Sequence, residues 1–220
     1  PTMIIDLDAL DHNIREVRRA LGGRDLRIVA KSVPSTSLID YVSNLAGSNK
    51  LMAFHEPFLG AVGNQQSDIL FGKPMPVAAA AKFYDRPALK SFDPTTQLQW
   101  LIDTPERLVQ YSSLAKTKNL RMRINIELDV GLHRGGVHDP IILQQMLKTI
   151  QETPQLTFDG LMGYDPHVVK MPELIVGQQE EFQQVQRRYQ SMLAVALGSG
   201  ASSRDTNKLT FNAAGSPTYT

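Results

Sequence analysis

Short apolar runs alternate with longer amphipathic segments along the whole chain. This alternation restricts the fold more than any other feature of the sequence. Residues 4–7, 26–30, 51–54, 69–71, 98–102, 121–130, 158–162 and 209–212 read as strands. Between them lie segments with helical spacing. Asp11 or a neighbour opens one that runs through Arg19, with Ile14, Val17 and Leu21 on one face. Ser35, Thr36 and Ser37 offer caps for the next, which carries Leu38, Ile39, Val42 and Leu45 and ends at Gly47. Thr104-Pro105 and Asp139-Pro140 each pair a capping side chain with proline at the first helical position. Residues 178–197 form a long helix with Phe182, Val185, Tyr189, Met192 and Ala196 in register. Residues 72–94 are the least regular and are read as an excursion from this pattern. Strands alternating with helices predict a parallel sheet with helical crossovers, either a closed barrel or an open doubly wound sheet.

Composition narrows the function classes. The 220 residues suit one large domain, and 42% hydrophobic content can bury a sizeable core. A net charge of +1 selects neither nucleic acid nor an anionic membrane as partner. The chain has no cysteine, so thiol catalysis, disulfides and thiolate metal sites within it are excluded, and a cytoplasmic setting is expected. No apolar run reaches the roughly 20 residues of a membrane-spanning helix. The first residue is Pro1, with no signal-peptide pattern after it, which is read as a natural start lying upstream or removed.

In parallel α/β folds, ligands bind at the carboxyl ends of strands. Lys31 closes the run Arg27-Ile28-Val29-Ala30. A lysine there is ordinarily a solvated terminus, but a desolvated amine in that position attacks aldehydes. The segment Asp129-Val130-Gly131-Leu132-His133-Arg134-Gly135-Gly136-Val137 sets an acid, an imidazole and a guanidinium in a glycine-rich loop after a strand. Arg134 can hold a ring nitrogen or a carboxylate by directed hydrogen bonds, or an Asp–Arg pair can fix the loop. Gly163-Tyr164-Asp165-Pro166-His167 follows the next strand and offers Tyr164 and His167 to a planar ligand. After the last strand, the small residues of Ala214-Gly215-Ser216-Pro217-Thr218 form a phosphate cradle or a simple turn. Glu56 is read as a helix-starting acid.

These segments, with Ile4-Ile5-Asp6-Leu7-Asp8-Ala9-Leu10 and Val29-Ala30-Lys31-Ser32, resemble the alanine-racemase-like, fold-type III pyridoxal-phosphate enzymes. The likeness is strongest to the D-threonine aldolase and D-serine dehydratase branch, and it spans the chain from Pro1 to Thr220. It implies a (β/α)8 barrel of the TIM type that is incomplete at its C-terminal end. Residues 3–7 would belong with a β-domain absent from this chain. Lys31 would bind pyridoxal 5'-phosphate covalently and be the catalytic residue. Arg134, Tyr164 and His167 would surround the ring, and Gly215, Ser216 and Thr218 would hold the phosphate. The resemblance further implies a D-amino acid substrate, a homodimer in the full-length protein, and divalent-metal ligands that would lie beyond Thr220. The reaction would be aldol cleavage or dehydration, with racemisation as the alternative. One departure is Val33, where that branch carries histidine two residues after the lysine. Two rivals compete with this reading: a non-catalytic pyridoxal-phosphate carrier, and a pyridoxal-free sugar-phosphate enzyme on a similar barrel.

Overall fold

A computed structural model describes residues 4–31, 35–64, 67–87, 91–170, 177–200, 209–215 and 218. The elements in chain order are α1 (Leu7–Leu21), β1 (Arg27–Val29), α2 (Thr36–Ala46), β2 (Lys50–Ala53), α3 (Leu59–Val62), β3 (Asp68–Phe71), α4 (Val77–Tyr84), α5 (Pro94–Gln97), β4 (Leu98–Ile102), α6 (Pro105–Lys118), β5 (Met122–Leu128), α7 (Pro140–Gln151), β6 (Leu156–Gly163), α8 (Gln178–Gly198) and β7 (Thr210–Asn212). Every strand pairs in parallel with its sequence neighbour, giving the order β1 to β7 without reversal. An open doubly wound sheet would reverse its order at a switch point. Here the sheet curls instead. The Arg27 guanidinium on β1 donates from Nε to Asn212 Oδ1 on β7 at 2.8 Å, bringing the first and last strands together. The molecule is a curled seven-stranded half-barrel, an incomplete form of the expected barrel.

Most of the helix boundaries follow from local chemistry. Ser35, Thr104 and Asp139 cap α2, α6 and α7, the latter two with proline at the first position. Gly22 and Gly47 end α1 and α2 in the left-handed conformation, which costs glycine no steric penalty. Two expectations are corrected. Residues 4–6 form no strand, and Leu7 already lies in α1: the Asp6 carboxylate accepts from Ala9 N at 3.0 Å and opens the helix before Asp11. The expected excursion at 72–94 contains α4, an ordinary crossover helix packed against α6.

The strands divide the core in two. Outward-facing Leu98, Trp100, Ile102, Met122, Ile124 and Ile126 are almost wholly buried under the helices. Trp100 stacks on Phe71 with centroids 4.8 Å apart, and its indole N–H donates to the Tyr84 hydroxyl at 3.0 Å. At the amino ends of the strands the inward face is polar. Asp68 accepts from Arg27 Nη2 at 2.8 Å, Arg123 Nη1 at 3.2 Å and Gln99 Nε2 at 3.0 Å. Gln99 Oε1 in turn accepts from Asn125 and Thr210. Arg123 also pairs with Asp159. A bulge opposite Ile124 and Asn125 brings Asp159 into this layer. It places Gly160 at φ +149°, where a Cβ would lie 1.8 Å from the Thr210 carbonyl oxygen, so only glycine lets β7 approach β6. This network forms a floor at the amino ends of the strands. The carboxyl ends make the opposite mouth.

Candidate functional site

The loop after β5 is built around one carboxylate. Asp129 Oδ1 accepts from the backbone N–H groups of Gly131 and His133, both at 3.0 Å, and Oδ2 meets His133 Nδ1 at 2.8 Å. Burial opposes its charge, but the two N–H groups and the His133 ring outweigh it and hold the carboxyl below its ordinary value. His133 takes a left-handed φ of 53° to close this turn. The loop then returns to its strand, with Val137 N donating to Glu127 O at 2.8 Å and Asp129 N to Val137 O at 3.0 Å. Gly136 permits the return, because a Cβ there would stand 2.7 Å from Asp129 N.

This closed loop presents Arg134. The half-exposed guanidinium donates from Nη2 to Glu127 Oε1 at 3.0 Å and lies 5.2 Å from the centre of the Tyr164 ring. Glu127 is the inward residue at the end of β5 and is 4% exposed. Burial pushes its carboxyl above the ordinary value, and Arg134 offsets only part of that rise. In the sequence Glu127 is one polar residue in an alternating strand. Its position two residues before Asp129, facing inward, was the available signal.

At the end of β1, Ala30 N donates to Met52 O at 3.0 Å, so the ladder continues to the residue before Lys31. The Lys31 side chain emerges exposed, with Nζ 4.3 Å from the centre of the Phe54 ring. After β7, Ala214 adopts φ 68°, and Gly215 N donates to Thr218 Oγ1 at 3.1 Å. The buried Thr218 hydroxyl donates to Asp165 Oδ1 at 2.7 Å, tying the loop to the end of β6. Ser216 lies outside the described residues, as does Val33. His167 faces a further group: its Nε2 lies 3.2 Å from Glu181 Oε1 on α8. The predicted residues thus fall at strand ends of one mouth, in separate contact groups: Lys31 with Phe54, Arg134 with Tyr164 and Glu127, Thr218 with Gly215 and Asp165, and His167 with Glu181.

Two cavities border this end. One of about 220 Å³ is lined by Val130, Gly163, Asp165, Tyr189, Ala214 and Thr218. The other, about 630 Å³, lies outside the sheet between the 129–140 segment and α8, lined by Asp129, His133, His138, Arg187 and Arg188. Neither is lined by Lys31, so cavity size does not single out the mouth. Among the described residues, no group of three or more His, Cys, Asp or Glu side chains is placed to hold a metal ion. No described helix is long and apolar enough to cross a membrane.

Lys31, Arg134, Tyr164 and Thr218 lie just beyond strand carboxyl ends, the face at which parallel α/β barrels bind ligands. The chain belongs to the alanine racemase N-terminal domain family, which matches residues 5–214. No curated protein sequence matches it. Solved structures with the same fold include D-threo-3-hydroxyaspartate dehydratase from Delftia sp. HT23, at 18% identity and TM-score 0.71, covering 96% of this chain and 59% of that one. D-threonine aldolase from Filomicrobium marinum matches at 16% identity and TM-score 0.72, covering 98% and 61%. Alanine racemase from Corynebacterium glutamicum matches at 17% identity and TM-score 0.64, covering 96% and 60%. The chain therefore spans about three fifths of the length of these proteins.

Proposed function

We propose that this chain is the cofactor-binding barrel of a pyridoxal-phosphate enzyme acting on a D-amino acid, most naturally as a lyase on a β-hydroxy substrate. The observation that carries the reading is Lys31: an exposed amine at the carboxyl end of β1, lying over the Phe54 ring, in a half-barrel of the alanine racemase N-terminal family. Among the described residues, no acid forms an ion pair with it. Lys31 is exposed rather than desolvated, so what supports the reading is its place at the strand end, unpaired and accessible to an aldehyde, and not burial.

The remaining residues fit the group. Arg134, held by Glu127 and set above the Tyr164 ring, would meet the ring's polar edge. The loop from Gly215 to Thr218, including Ser216, would receive the phosphate. Thr218 would act there chiefly as a brace, because its hydroxyl is already engaged with Asp165. The cofactor, when bound, supplies an electron sink for charge developing at the substrate Cα. Lys31, once released, would be the base that takes a proton on one face of the substrate. His167 would lie at the rim. The lyase reading rests on the Asp-Val-Gly-Leu-His-Arg and Gly-Tyr-Asp-Pro-His segments. Racemisation is the alternative outcome of the same assay. A homodimer and a cytoplasmic setting belong to the same proposal.

Borohydride trapping of the full-length, cofactor-loaded protein, followed by peptide mapping, is expected to place the pyridoxyl group on Lys31. Label on another lysine, or none, overturns the assignment. D-threonine, D-serine and D-alanine, assayed for released aldehyde, ammonia or inverted stereochemistry, then distinguish the reactions.

A further inference from the structure

Helix α8 reaches the mouth through two charged side chains. Glu181 and Arg188 are seven residues apart, so they share one helical face. Arg188 Nη1 donates to Glu181 Oε1 at 3.1 Å and to the Val130 carbonyl oxygen at 2.8 Å, and Nη2 donates to Gln184 Oε1 at 2.9 Å. The same Glu181 oxygen lies 3.2 Å from His167 Nε2. Both the imidazole and the carboxylate are nearly buried, at 12% and 9% side-chain exposure. Gly131 packs directly on this cluster. A Cβ there would stand 2.3 Å from Arg188 Nη1, 2.9 Å from His167 Nε2 and 3.0 Å from Glu181 Oε1. The glycine after Val130 is therefore what lets α8 grip the loop that presents Arg134.

The contact also orients the imidazole. A carboxylate oxygen only accepts, so the ring nitrogen facing it carries the hydrogen. In the neutral ring this leaves the lone pair on Nδ1. That atom is buried and has no hydrogen-bond partner among the described residues. A buried acceptor left unpaired is costly and calls for a partner that the described residues do not supply.

We propose that Glu181 and Arg188 are positioning residues of the site. Glu181 fixes His167 as the Nε2–H tautomer and leaves Nδ1 as the acceptor of the ring. Arg188, through Val130, fixes the loop that carries Arg134. The role of a ligand here rests on the proposed function, but the tautomer does not.

The test is nitrogen-15 NMR of the histidine rings in the full-length protein, with the His167 signals assigned from His167→Asn. The wild type is expected to show a proton-bearing Nε2 and a pyridine-type Nδ1. Glu181→Leu should lose that preference and lower kcat about ten- to hundredfold with KM changed less than about threefold. Glu181→Gln, whose amide oxygen still accepts, should restore both. A wild-type ring protonated on Nδ1, or an unchanged spectrum in Glu181→Leu, overturns the proposal. The wild-type spectrum decides the tautomer even if the leucine variant fails to fold. The expected spectrum in a protein that retains no cofactor on Lys31 would leave the clamp standing and remove the cofactor reading instead.

Discussion

The floor and the mouth of the half-barrel each hold an inward carboxylate beside arginine, and the two are perturbed in opposite directions. Asp68 at the floor is partly buried, which favours its neutral form. The paired guanidinium groups of Arg27 and Arg123, with Gln99 donating, still hold it below its ordinary value. Glu127 at the mouth has one arginine partner, itself half exposed, and burial keeps its carboxyl above the ordinary value. The floor saturates its charge with fixed donors and bonds β1 to β3 and β7. The mouth leaves charge unsettled and exposes an amine at Lys31, while each end keeps a buried polar atom without a partner among the described residues, Asn125 Oδ1 at the floor and His167 Nδ1 at the mouth. In barrels, the amino-terminal face serves stability and the carboxyl-terminal face serves chemistry. Here that division shows in the electrostatics of single residues.

The contrast is sharpest for Lys31 and Asp68. Lys31→Ala is expected to abolish covalent cofactor attachment and lower turnover by about three orders of magnitude, equivalent to about 4 kcal/mol. Because Lys31 is exposed, its removal should change unfolding free energy by less than about 0.5 kcal/mol. Asp68→Asn should do the reverse. It leaves the Arg27 guanidinium, 8% exposed, without its counter-charge, and should cost about 3 kcal/mol of stability. Denaturant titration of both variants, with spectroscopic cofactor titration, checks the pair. A strongly destabilised Lys31→Ala would show that the two ends are not separate.

Much of this organisation is legible in the sequence. The strand ends at Lys31, Asp129 and Gly163 were visible because parallel strands end in polar residues after apolar runs. Ser35, Thr104 and Asp139 announced their helices through cap chemistry. The start of α1 was missed because Ile4-Ile5 looks like a strand, while the capping carboxylate of Asp6 outweighs that propensity. The floor was not legible. Arg27, Asp68, Gln99 and Arg123 are far apart in sequence, and only the curl of the sheet turns them toward one another. Glu181 and Arg188 escaped for the same reason, since a charge on a helix says nothing about which loop it will meet.

The opposed carboxylates predict opposed pH slopes. The folded value of Asp68 is depressed, so its stabilisation is full above the ordinary carboxylate value and is lost as pH falls through the depressed one. Glu127 is raised, so its ionised form costs stability at neutral pH, and that cost is relieved as pH falls through the raised value. Relative to Asp68→Asn, the wild type should therefore lose stability in acid. Relative to Glu127→Gln, it should gain stability as pH is lowered from 7. Glu127→Gln should also loosen Arg134 and weaken cofactor binding about tenfold, about 1.4 kcal/mol, with little loss of stability at pH 7. Parallel slopes in the two comparisons would erase the distinction between floor and mouth.

The smallest effect should come from Thr218, which belongs to the mouth but behaves in part like the floor. Its hydroxyl is buried and satisfied on both sides, accepting from Gly215 N and donating to Asp165 Oδ1. Thr218→Val keeps the branched shape and removes both bonds, so Asp165 and the Gly215 N–H lose a partner at once. A net hydrogen bond is worth about 1 kcal/mol, and the exposed side of the loop lets water replace part of it. The variant should lose about 1 kcal/mol of stability and bind the cofactor about fivefold more weakly through a looser phosphate loop. Thr218→Ser, which keeps the hydroxyl, should recover most of both. If Thr218→Val instead weakened the cofactor a hundredfold with stability unchanged, the hydroxyl would be a direct phosphate ligand that turns away from Asp165 on binding. Calorimetric titration of the two variants against wild type separates a brace from a ligand.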